Sequence, residues 1–245
     1  MGGKEAPNRI AVKIARDQGG VMLESIGEHI WMEEYPFKFF GIALGRRMIV
    51  IRLADGALFL HSPGEMTDDR KRRLESLGRV GYVVAPARFH DLFLDGVIGA
   101  FPQSELHAIR PIFSRFSSRA KTFLLSDQDA PPWEAEIEQH DFWAGPFHRE
   151  TVFFHRESRS LLLADLCFRL SGQALMTQLV GRGLGIVNRF APTRDIRFWT
   201  MGRRQRLRTS IEKVLEWPFT GIIPAHGEIV RENGREVFRE AFRWA

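Results

Sequence analysis

The sequence has almost no cysteine and no long apolar run, and these two absences exclude several classes of protein. Cys167 is the single cysteine among 245 residues, so no disulfide forms within the chain and a reducing compartment is expected. No stretch approaches the roughly 20 apolar residues that a membrane-spanning helix needs. Residues 1–20 alternate charged and apolar positions and contain no apolar signal segment. We therefore expect a cytoplasmic protein with no membrane partner.

Lysine is missing from one part of the chain that is rich in arginine. The segment Leu166–Ser210 has nine Arg, no Lys and one acid, a net charge of +8 in a chain whose total is +5. Such a segment favours contact with an anionic molecule, nucleic acid or a membrane surface. Its aromatic residues are sparse, whereas nucleic-acid surfaces interleave more of them with basic residues. We therefore favour an anionic small-molecule partner, rank nucleic acid last, and keep a solvated arginine-rich face as the simplest alternative.

The first half of the chain predicts a meander followed by alternating helices and strands. A meander is expected because β-branched and aromatic runs are separated by turn residues, with Asp55-Gly56 as a two-residue hairpin signal. The predicted strands are Ile30–Glu34, Phe37–Leu44, Met48–Leu53 and Ala57–Leu60, with Gly45-Arg46-Arg47 as a break. Thr67 and Gly78 are typical caps of a helix between them. A strand over Val80–Ala85, a helix over Phe89–Leu94 and a strand over Glu105–Ile109 follow.

The second half repeats this order. Residues 114–134 are interpreted as a surface loop, and a second meander follows it, with strands at Ile137–Trp143, Glu150–Phe154 and Ser160–Ala164. Helices are expected over Ser171–Gly181, around Leu207–Leu215 and at the C-terminus, with a short strand at Ile222–Ile223. We predict a lead-in of residues 1–28 and one α/β (α+β) domain of residues 29–245, in which two mixed β-sheets packed face to face are flanked by helices.

Polar side chains follow three of the predicted strands. His90 and Asp91 come after Val80–Ala85, Asp165 after the strand that ends at Ala164, and His226 after Ile222–Ile223. Ligands tend to lie beyond the carboxyl ends of strands in α/β proteins. Imidazole and carboxylate groups suit a divalent transition metal, so these four residues predict a one-metal site with a position open to water. Zinc fits best, with iron or manganese as alternatives.

Five segments carry a family resemblance through their order and spacing. They are Phe59–Gly64, Val83–Asp91, Thr151–Arg156, Leu163–Leu166 and Pro224–Gly227. Together they resemble the metallo-β-lactamase superfamily and, within it, a bacterial family of domains of unknown function. The resemblance implies a four-layer αβ/βα sandwich. It also implies that Asp165 corresponds to the metal-bridging Asp and His226 to the His of the closing Pro-x-His-Gly segment.

The metal loop departs from the superfamily pattern, which is His-x-His-x-Asp-His. Aligned with that pattern, Pro86 and Arg88 occupy the first two His positions, while His90 occupies the Asp position and Asp91 the last His position. The first metal of a dinuclear centre needs both lost histidines. The resemblance therefore implies a degenerate site that keeps only the second metal.

Two functions follow as hypotheses. The first is a metal-dependent hydrolase acting on an anionic small molecule, with Asp91 and His61 as candidate catalytic residues and Arg88 binding an anionic group or a developing oxyanion. The second is a non-catalytic binding or scaffold protein in which an Arg88–Asp165 ion pair replaces the metal. Each histidine also has a purely structural alternative, as a buried or turn-capping side chain.

Overall fold

The computed structural model describes residues 23–39, 42–170 and 175–245. Most of the predicted lead-in lies outside these residues, although a first strand, β1 (Glu24–Gly27), falls within its last part. The predicted start of a helix at Ser171 also lies outside them. None of the helices in the described ranges is long and apolar enough to cross a membrane.

The larger sheet has seven strands and mixes the two strand directions. In spatial order it consists of β1, β2 (Ile30–Tyr35), β5 (Arg46–Arg52), β6 (Ala57–His61), β7 (Arg79–Ala85), β8 (Glu105–Ala108) and β9 (Thr122–Leu124). The strands up to β6 pair antiparallel, and β6 to β9 pair parallel. The predicted hairpin turn joins β5 to β6: Gly56 has φ +80°, and the Asp55 side chain accepts from the Ala57 amide at 2.8 Å.

The smaller sheet has four strands, which are β10 (Ile137–Trp143), β11 (Arg149–His155), β12 (Ser160–Leu163) and β13 (Gly221–Pro224). The first three form the predicted meander, and β13 joins β12 in parallel. Two short strands, β3 (Lys38–Phe39) and β4 (Ile42–Ala43), pair with each other as a separate two-stranded sheet.

The described helices are α1 (Asp68–Leu77), α2 (Leu94–Ala100), α3 (Arg110–Phe116), α4 (Leu175–Leu184), α5 (Arg194–Trp199), α6 (Arg204–Leu215) and α7 (Gly234–Ala241). Thr67 caps α1 as predicted, because its hydroxyl accepts from the Arg70 amide at 3.2 Å. The apolar face predicted on α6 is buried at Leu207, Ile211 and Val214.

Strand alternation builds the four layers. Residues one apart on a strand point to opposite faces of a sheet, so each strand of the smaller sheet contributes to two cores. Phe153, Leu162 and Ile223 join the core shared with the larger sheet. Their neighbours Phe154, Leu161 and Ile222 join a second core with α6 and α7. The predicted sandwich of two mixed sheets flanked by helices is confirmed.

Three local predictions were wrong. The segment predicted as a helix over Phe89–Leu94 forms turns instead, and α2 begins only at Leu94. The turns are closed by short-range backbone bonds, His90 N to Ala87 O at 3.1 Å and Leu94 N to Asp91 O at 3.3 Å. Residues 114–134 are not only a loop, because they include the end of α3 and the edge strand β9.

The third error concerns the predicted break at Gly45-Arg46-Arg47. Both arginines lie in β5 and are buried, with 3% and 4% of their surface exposed. The Arg47 amide donates to the Ala225 carbonyl at 2.8 Å, which ties the start of β5 to the turn after β13. The sequence pattern predicted a turn here because charged residues follow a glycine. The partner of Arg47, the Ala225 carbonyl, is far along the chain and leaves no local signal.

Candidate metal centre

Three of the four predicted metal ligands lie together at the carboxyl ends of strands. Ligand atoms of His90, Asp165 and His226 all lie within 4.8 Å of one another, and we call these three residues the inner cluster. Nε2 of His90 and Nε2 of His226 each lie 3.3 Å from Oδ1 of Asp165. Both imidazoles are buried, whereas the Asp165 side chain is 33% exposed. The carboxylate is therefore the part of the cluster that faces solvent.

The spacing of these atoms fits one tetrahedral ion. Ligands that lie about 2.1 Å from a tetrahedral zinc are about 3.4 Å from each other. Both nitrogen–oxygen distances in the inner cluster are 3.3 Å. Two imidazoles and one carboxylate also form the donor set that catalytic zinc sites use when a fourth position is kept for water. The residues present therefore fit a single divalent ion.

His226 adds a stronger observation, which concerns its protonation. Its Nδ1 lies 2.6 Å from the Gly45 carbonyl oxygen, and a carbonyl only accepts, so Nδ1 carries a proton. In a neutral imidazole Nε2 then has only a lone pair, and Nε2 lies 3.3 Å from Oδ1 of Asp165. Two acceptors in this position require a cation, which is either a second proton on His226 or a metal ion.

Glu150, on β11, fixes the turn that carries Asp165. Its two carboxylate oxygens accept from the Ala164 amide at 3.0 Å and from the Asp165 amide at 2.7 Å. Burial, with the Asp165 charge, raises the pKa of Glu150 to about 8. For Asp165, burial favours a higher pKa, but the adjoining imidazoles of His90 and His226 outweigh it and hold the pKa well below its usual range. The Asp165 carboxylate is therefore held ionised.

Arg47 fixes the turn that carries His226. Its guanidinium donates to the Pro224 carbonyl and, at 2.9 Å, to the Gly227 carbonyl. Gly227 has φ +70°, and a Cβ there would lie 2.2 Å from the Arg169 carbonyl oxygen, so only glycine fits. The larger sheet thus positions a ligand that the smaller sheet supplies.

His61 lies in a buried polar region near His90. Burial and the nearby Arg46 charge, against the effect of Asp165, lower the pKa of His90 to about 4. His61 is fully buried, and burial together with the charges of His90 and Arg46 lowers its pKa well below 6.5. Within the described chain neither His61 ring nitrogen has a hydrogen-bond partner. His61 does not line the cavity described below, so it cannot meet a ligand there directly.

Asp91 and Arg88 do not take the positions expected of them. The Asp91 carboxylate forms an ion pair with Arg115 and lies outside the inner cluster. Arg88 is exposed, and among the described residues it forms no ion pair with Asp165 or with any other acid. The Arg88–Asp165 pair expected of a scaffold protein is therefore not formed, because the two histidines take that place beside Asp165.

A cavity of about 220 Å³ opens onto the inner cluster. Polar side chains on its wall are those of the inner cluster, Glu150, Thr193, Arg46, Arg88, His148 and Arg149. The rest of the wall is largely apolar and includes Phe37, Phe147, Leu166, Phe168, Leu184, Ile186 and Ile196. This arrangement combines a polar floor with apolar sides, which is usual for a small-molecule site.

Sequence reasoning missed three residues that organise this site: Glu150, Arg46 and Arg47. Glu150 and Arg46 carried a signal, because each is a charged residue at the edge of an apolar strand run and therefore needs a partner if it is buried. For Arg47 the partners are the carbonyls of Pro224 and Gly227, far along the chain. No local pattern identifies these.

A second group of candidate ligands lies on the surface. Glu28, His29 and Glu157 also place ligand atoms within 4.8 Å of one another, and we call them the outer cluster. His29 Nδ1 lies 3.4 Å from Glu157 Oε2, and these two side chains are 37% and 47% exposed. The outer cluster lies against a different cavity, which is lined by Arg52, Glu136 and Arg156 among others.

Comparison with known proteins gives a family and a fold. A family model described as a domain of unknown function (DUF4336) matches residues 27–180, which include His90 and Asp165 but not His226. No curated protein matches the chain at a significant level.

Solved structures resemble the chain over nearly its whole length. A metallo-β-lactamase from Pontibacter korlensis is 12% identical, with a TM-score of 0.60, covering 91% of this chain and 99% of its own. A diflavin flavoprotein fragment from Nostoc is 10% identical, with a TM-score of 0.62, covering 91% and 96%. The metallo-β-lactamase FIM-1 from Pseudomonas aeruginosa, in its mono-zinc form, is 15% identical, with a TM-score of 0.58, covering 91% and 93%. The chain has the metallo-β-lactamase fold.

Proposed function

We propose, for a chain that belongs to the DUF4336 family and has the metallo-β-lactamase fold, that the inner cluster binds one divalent metal ion and that the protein is a metal-dependent hydrolase of small anionic molecules. One observation carries the proposal. His226 uses its only neutral-state proton on the Gly45 carbonyl, and its Nε2 nevertheless lies 3.3 Å from Oδ1 of Asp165. Either a second proton on His226 or a divalent ion would satisfy both acceptors, and the donor set of His90, Asp165 and His226 favours the ion.

The chemistry of the donor set supports the same ion. When bound, zinc, iron or manganese would supply Lewis acidity and a nucleophile derived from water at neutral pH. A protein of this fold, FIM-1, has a mono-zinc form, so one metal is sufficient for a folded member of the group. The mismatch with a two-metal centre, at Pro86 and Arg88, agrees with a one-metal proposal.

Residues of the chain have separate tasks in this proposal. Asp165 is the exposed ligand and faces the cavity, while Glu150 and Arg47 hold the two turns that present Asp165 and His226. Arg88 lies at the cavity and is available to an anionic group of the substrate. Asp91 is occupied by Arg115 and His61 does not line the cavity, so we leave both out of the proposed ligand and catalytic set.

The scaffold alternative has lost its support. It depended on the Arg88–Asp165 ion pair, which is not formed between these two described residues. A site without metal would instead need a second proton on His226 beside Asp165, and the metal analysis distinguishes the two cases.

Metal analysis tests the proposal. Wild-type protein is loaded with zinc, desalted and titrated against a chromophoric chelator, beside His226→Ala and the matched outer-cluster variant His29→Ala. We expect about one tightly held equivalent in the wild type and in His29→Ala, and at least a roughly tenfold weaker affinity in His226→Ala. A wild type that retains no zinc, iron or manganese after loading overturns the proposal. So does an affinity that His29→Ala lowers and His226→Ala does not.

A second measurement separates binding from catalysis. The loaded protein is assayed for hydrolysis of esters, thioesters, lactams and phosphate esters that each carry an anionic group. Activity is expected only with metal and is expected to disappear in Asp165→Asn. A protein that holds metal but hydrolyses nothing in this panel would keep the metal site and contradict the hydrolase assignment.

A further inference from the structure

We propose that the cavity over the inner cluster takes a small amphiphilic anion, with its apolar body against the apolar wall and its anionic group toward Arg88 and Arg46. This deepens the proposed function by naming a substrate class, and it rests on that function only for the idea that the ligand is transformed. The inference has three supports: an apolar cluster that belongs to neither sheet core, two cations without an ion pair in the described chain, and the form of the opening.

The apolar wall includes a hydrophobic cluster that is separate from both sheet cores. Phe168, Leu170 and Ile186 are buried together, and Leu44 and Leu184 pack against them. Four of these five residues line the cavity. Because the cluster adds to neither of the two main cores, its clearest physical effect is to give the cavity an apolar side, against which water is poorly held.

The charged groups on the cavity wall differ in how they are paired. His148 is paired with Asp195 at 2.5 Å, Arg149 with Asp141, and Asp165 with His90 and His226. Arg46 and Arg88, in contrast, form no ion pair with any acid among the described residues.

Arg46 is the more unusual of these two cations. It is 3% exposed, its one hydrogen bond is to the Phe89 carbonyl at 3.3 Å, and its Nε and Nη2 have no partner in the described chain. A buried cation without a counter-charge is costly. A ligand that brings negative charge into the cavity offsets this cost through space, while the exposed Arg88 is free to pair with that ligand directly.

Size and opening complete the inference. A volume of about 220 Å³ equals roughly seven waters at their liquid volume, which suits a short chain or a single ring and excludes a folded partner. Phe147 lines the cavity, is 56% exposed, and contacts Trp199 with ring centroids 4.7 Å apart. A longer apolar body can therefore continue out of the cavity over an aromatic surface.

Calorimetric titration with three matched probes tests the chemistry. Octanoate has both an apolar body and a charge, 1-octanol has the body alone, and acetate has the charge alone. We expect octanoate to bind at least about tenfold more tightly than either control. We also expect affinity to rise from butyrate to octanoate by up to about fourfold per methylene. Equal affinity for octanoate and octanol, or no dependence on chain length, overturns the proposal.

Paired variants locate the binding. Arg88→Gln removes the free guanidinium and is expected to reduce octanoate affinity about tenfold with no change for octanol. Arg110→Gln, at another exposed arginine, is the matched control. Leu184→Gln makes the wall polar and is expected to weaken both probes, whereas Leu77→Gln, also half-buried but distant, changes neither. Octanoate binding that Arg88→Gln and Leu184→Gln leave unchanged contradicts the placement.

Titrating both chelator-treated and zinc-loaded protein separates this inference from the proposed function. Octanoate binding that depends on Arg88 in the chelator-treated protein supports the amphiphile site even if no metal is retained. A protein that holds zinc in the inner cluster but does not prefer octanoate over octanol leaves the metal proposal standing and defeats the amphiphile proposal.

Discussion

The inner and outer clusters both combine imidazole and carboxylate groups within 4.8 Å of one another. They differ in the hydrogen bonds that fix each side chain in place. In the inner cluster the Asp165 amide bonds to Glu150, and His226 is fixed by Gly45 and by the Arg47 contacts to its turn. In the outer cluster the side chains of Glu28 and Glu157 are exposed. Ordering long exposed side chains around an ion costs conformational entropy. We therefore expect support from neighbouring groups, in addition to ligand type and distance, to decide which of the two clusters binds metal.

Loss of the Asp165 carboxylate is expected to have the largest effect on the difference in zinc affinity between the two clusters. Asp165→Asn removes the charged ligand that lies 3.3 Å from both imidazoles. Zinc affinity should fall by more than about 100-fold, beyond the 10–100-fold that outer partners of metal ligands contribute. The measurement is a competitive chelator titration. Glu157→Gln makes the equivalent change in the outer cluster and should leave the affinity within about twofold. A larger loss in Glu157→Gln would reverse the ranking of the two clusters.

Removal of one supporting carboxylate tests the explanation itself. Glu150→Gln keeps the size of the side chain but replaces one acceptor oxygen by an amide that cannot accept from a backbone N–H. Zinc affinity should fall about 10–100-fold although no ligand has changed. Glu136→Gln is the surface counterpart, because Glu136 accepts from the Ala54 amide with both oxygens at 3.1 Å. Equal affinities in the two variants would show that the support around Asp165 is dispensable.

Near the outer cluster, we expect stability to depend on the protonation of His155 and not on metal binding. Burial, with smaller opposing effects of Glu157 and His29, lowers the pKa of His155 to about 4. The unfolded chain thus binds more protons between pH 6.5 and 4, so the contribution of His155 to stability is full above about pH 6.5 and falls as the pH decreases through that window. Between pH 7 and 4.5, urea unfolding should show a loss of stability about 2 kcal/mol larger in the wild type than in His155→Gln, since His90 and His61 contribute equally to both. A parallel loss in both proteins would contradict this assignment.

The smallest effect is expected for the outer cluster alone. Glu28→Gln combined with Glu157→Gln changes two exposed side chains. The free energy of unfolding should change by less than about 0.5 kcal/mol, and added zinc should stabilise the variant as much as the wild type. Thermal melts with and without zinc measure both quantities. A zinc stabilisation that disappears in this variant would move the metal site to the surface.

The fold could be predicted well from sequence because its signals are local. Alternating β-branched and aromatic runs, the Asp55-Gly56 turn and the Thr67 cap each depend on residues a few positions apart. The errors occurred where the chain's long-range partners decide the structure. The sequence pattern predicted Arg46 and Arg47 as turn residues. In the structure Arg47 binds carbonyls of β13 and of the turn after it.

The site was predictable only in part, for the same reason. Polar residues after strands identified His90, Asp165 and His226, because carboxyl ends of neighbouring strands meet at one edge. The same rule included Asp91, whose side chain turns to Arg115 on α3 instead. The direction in which a side chain points after a turn depends on tertiary partners such as Arg115. The spacing of residues in the sequence does not predict that direction.

The Arg47 contacts also affect the order in which the molecule can be completed. Arg47 lies in β5, within the first quarter of the chain. It bonds to Pro224 and Gly227, which come 177 and 180 residues later. Closing such long loops is slow, since their entropy is lost before the contact is gained. In the early sheet the Arg47 guanidinium can pair with Glu34 of β2, but its contacts to Pro224 and Gly227 form only after β13, the last described strand, has emerged. The inner cluster needs the turn after β13 as well, so zinc binding by the inner cluster is expected to report that β13 has joined the fold.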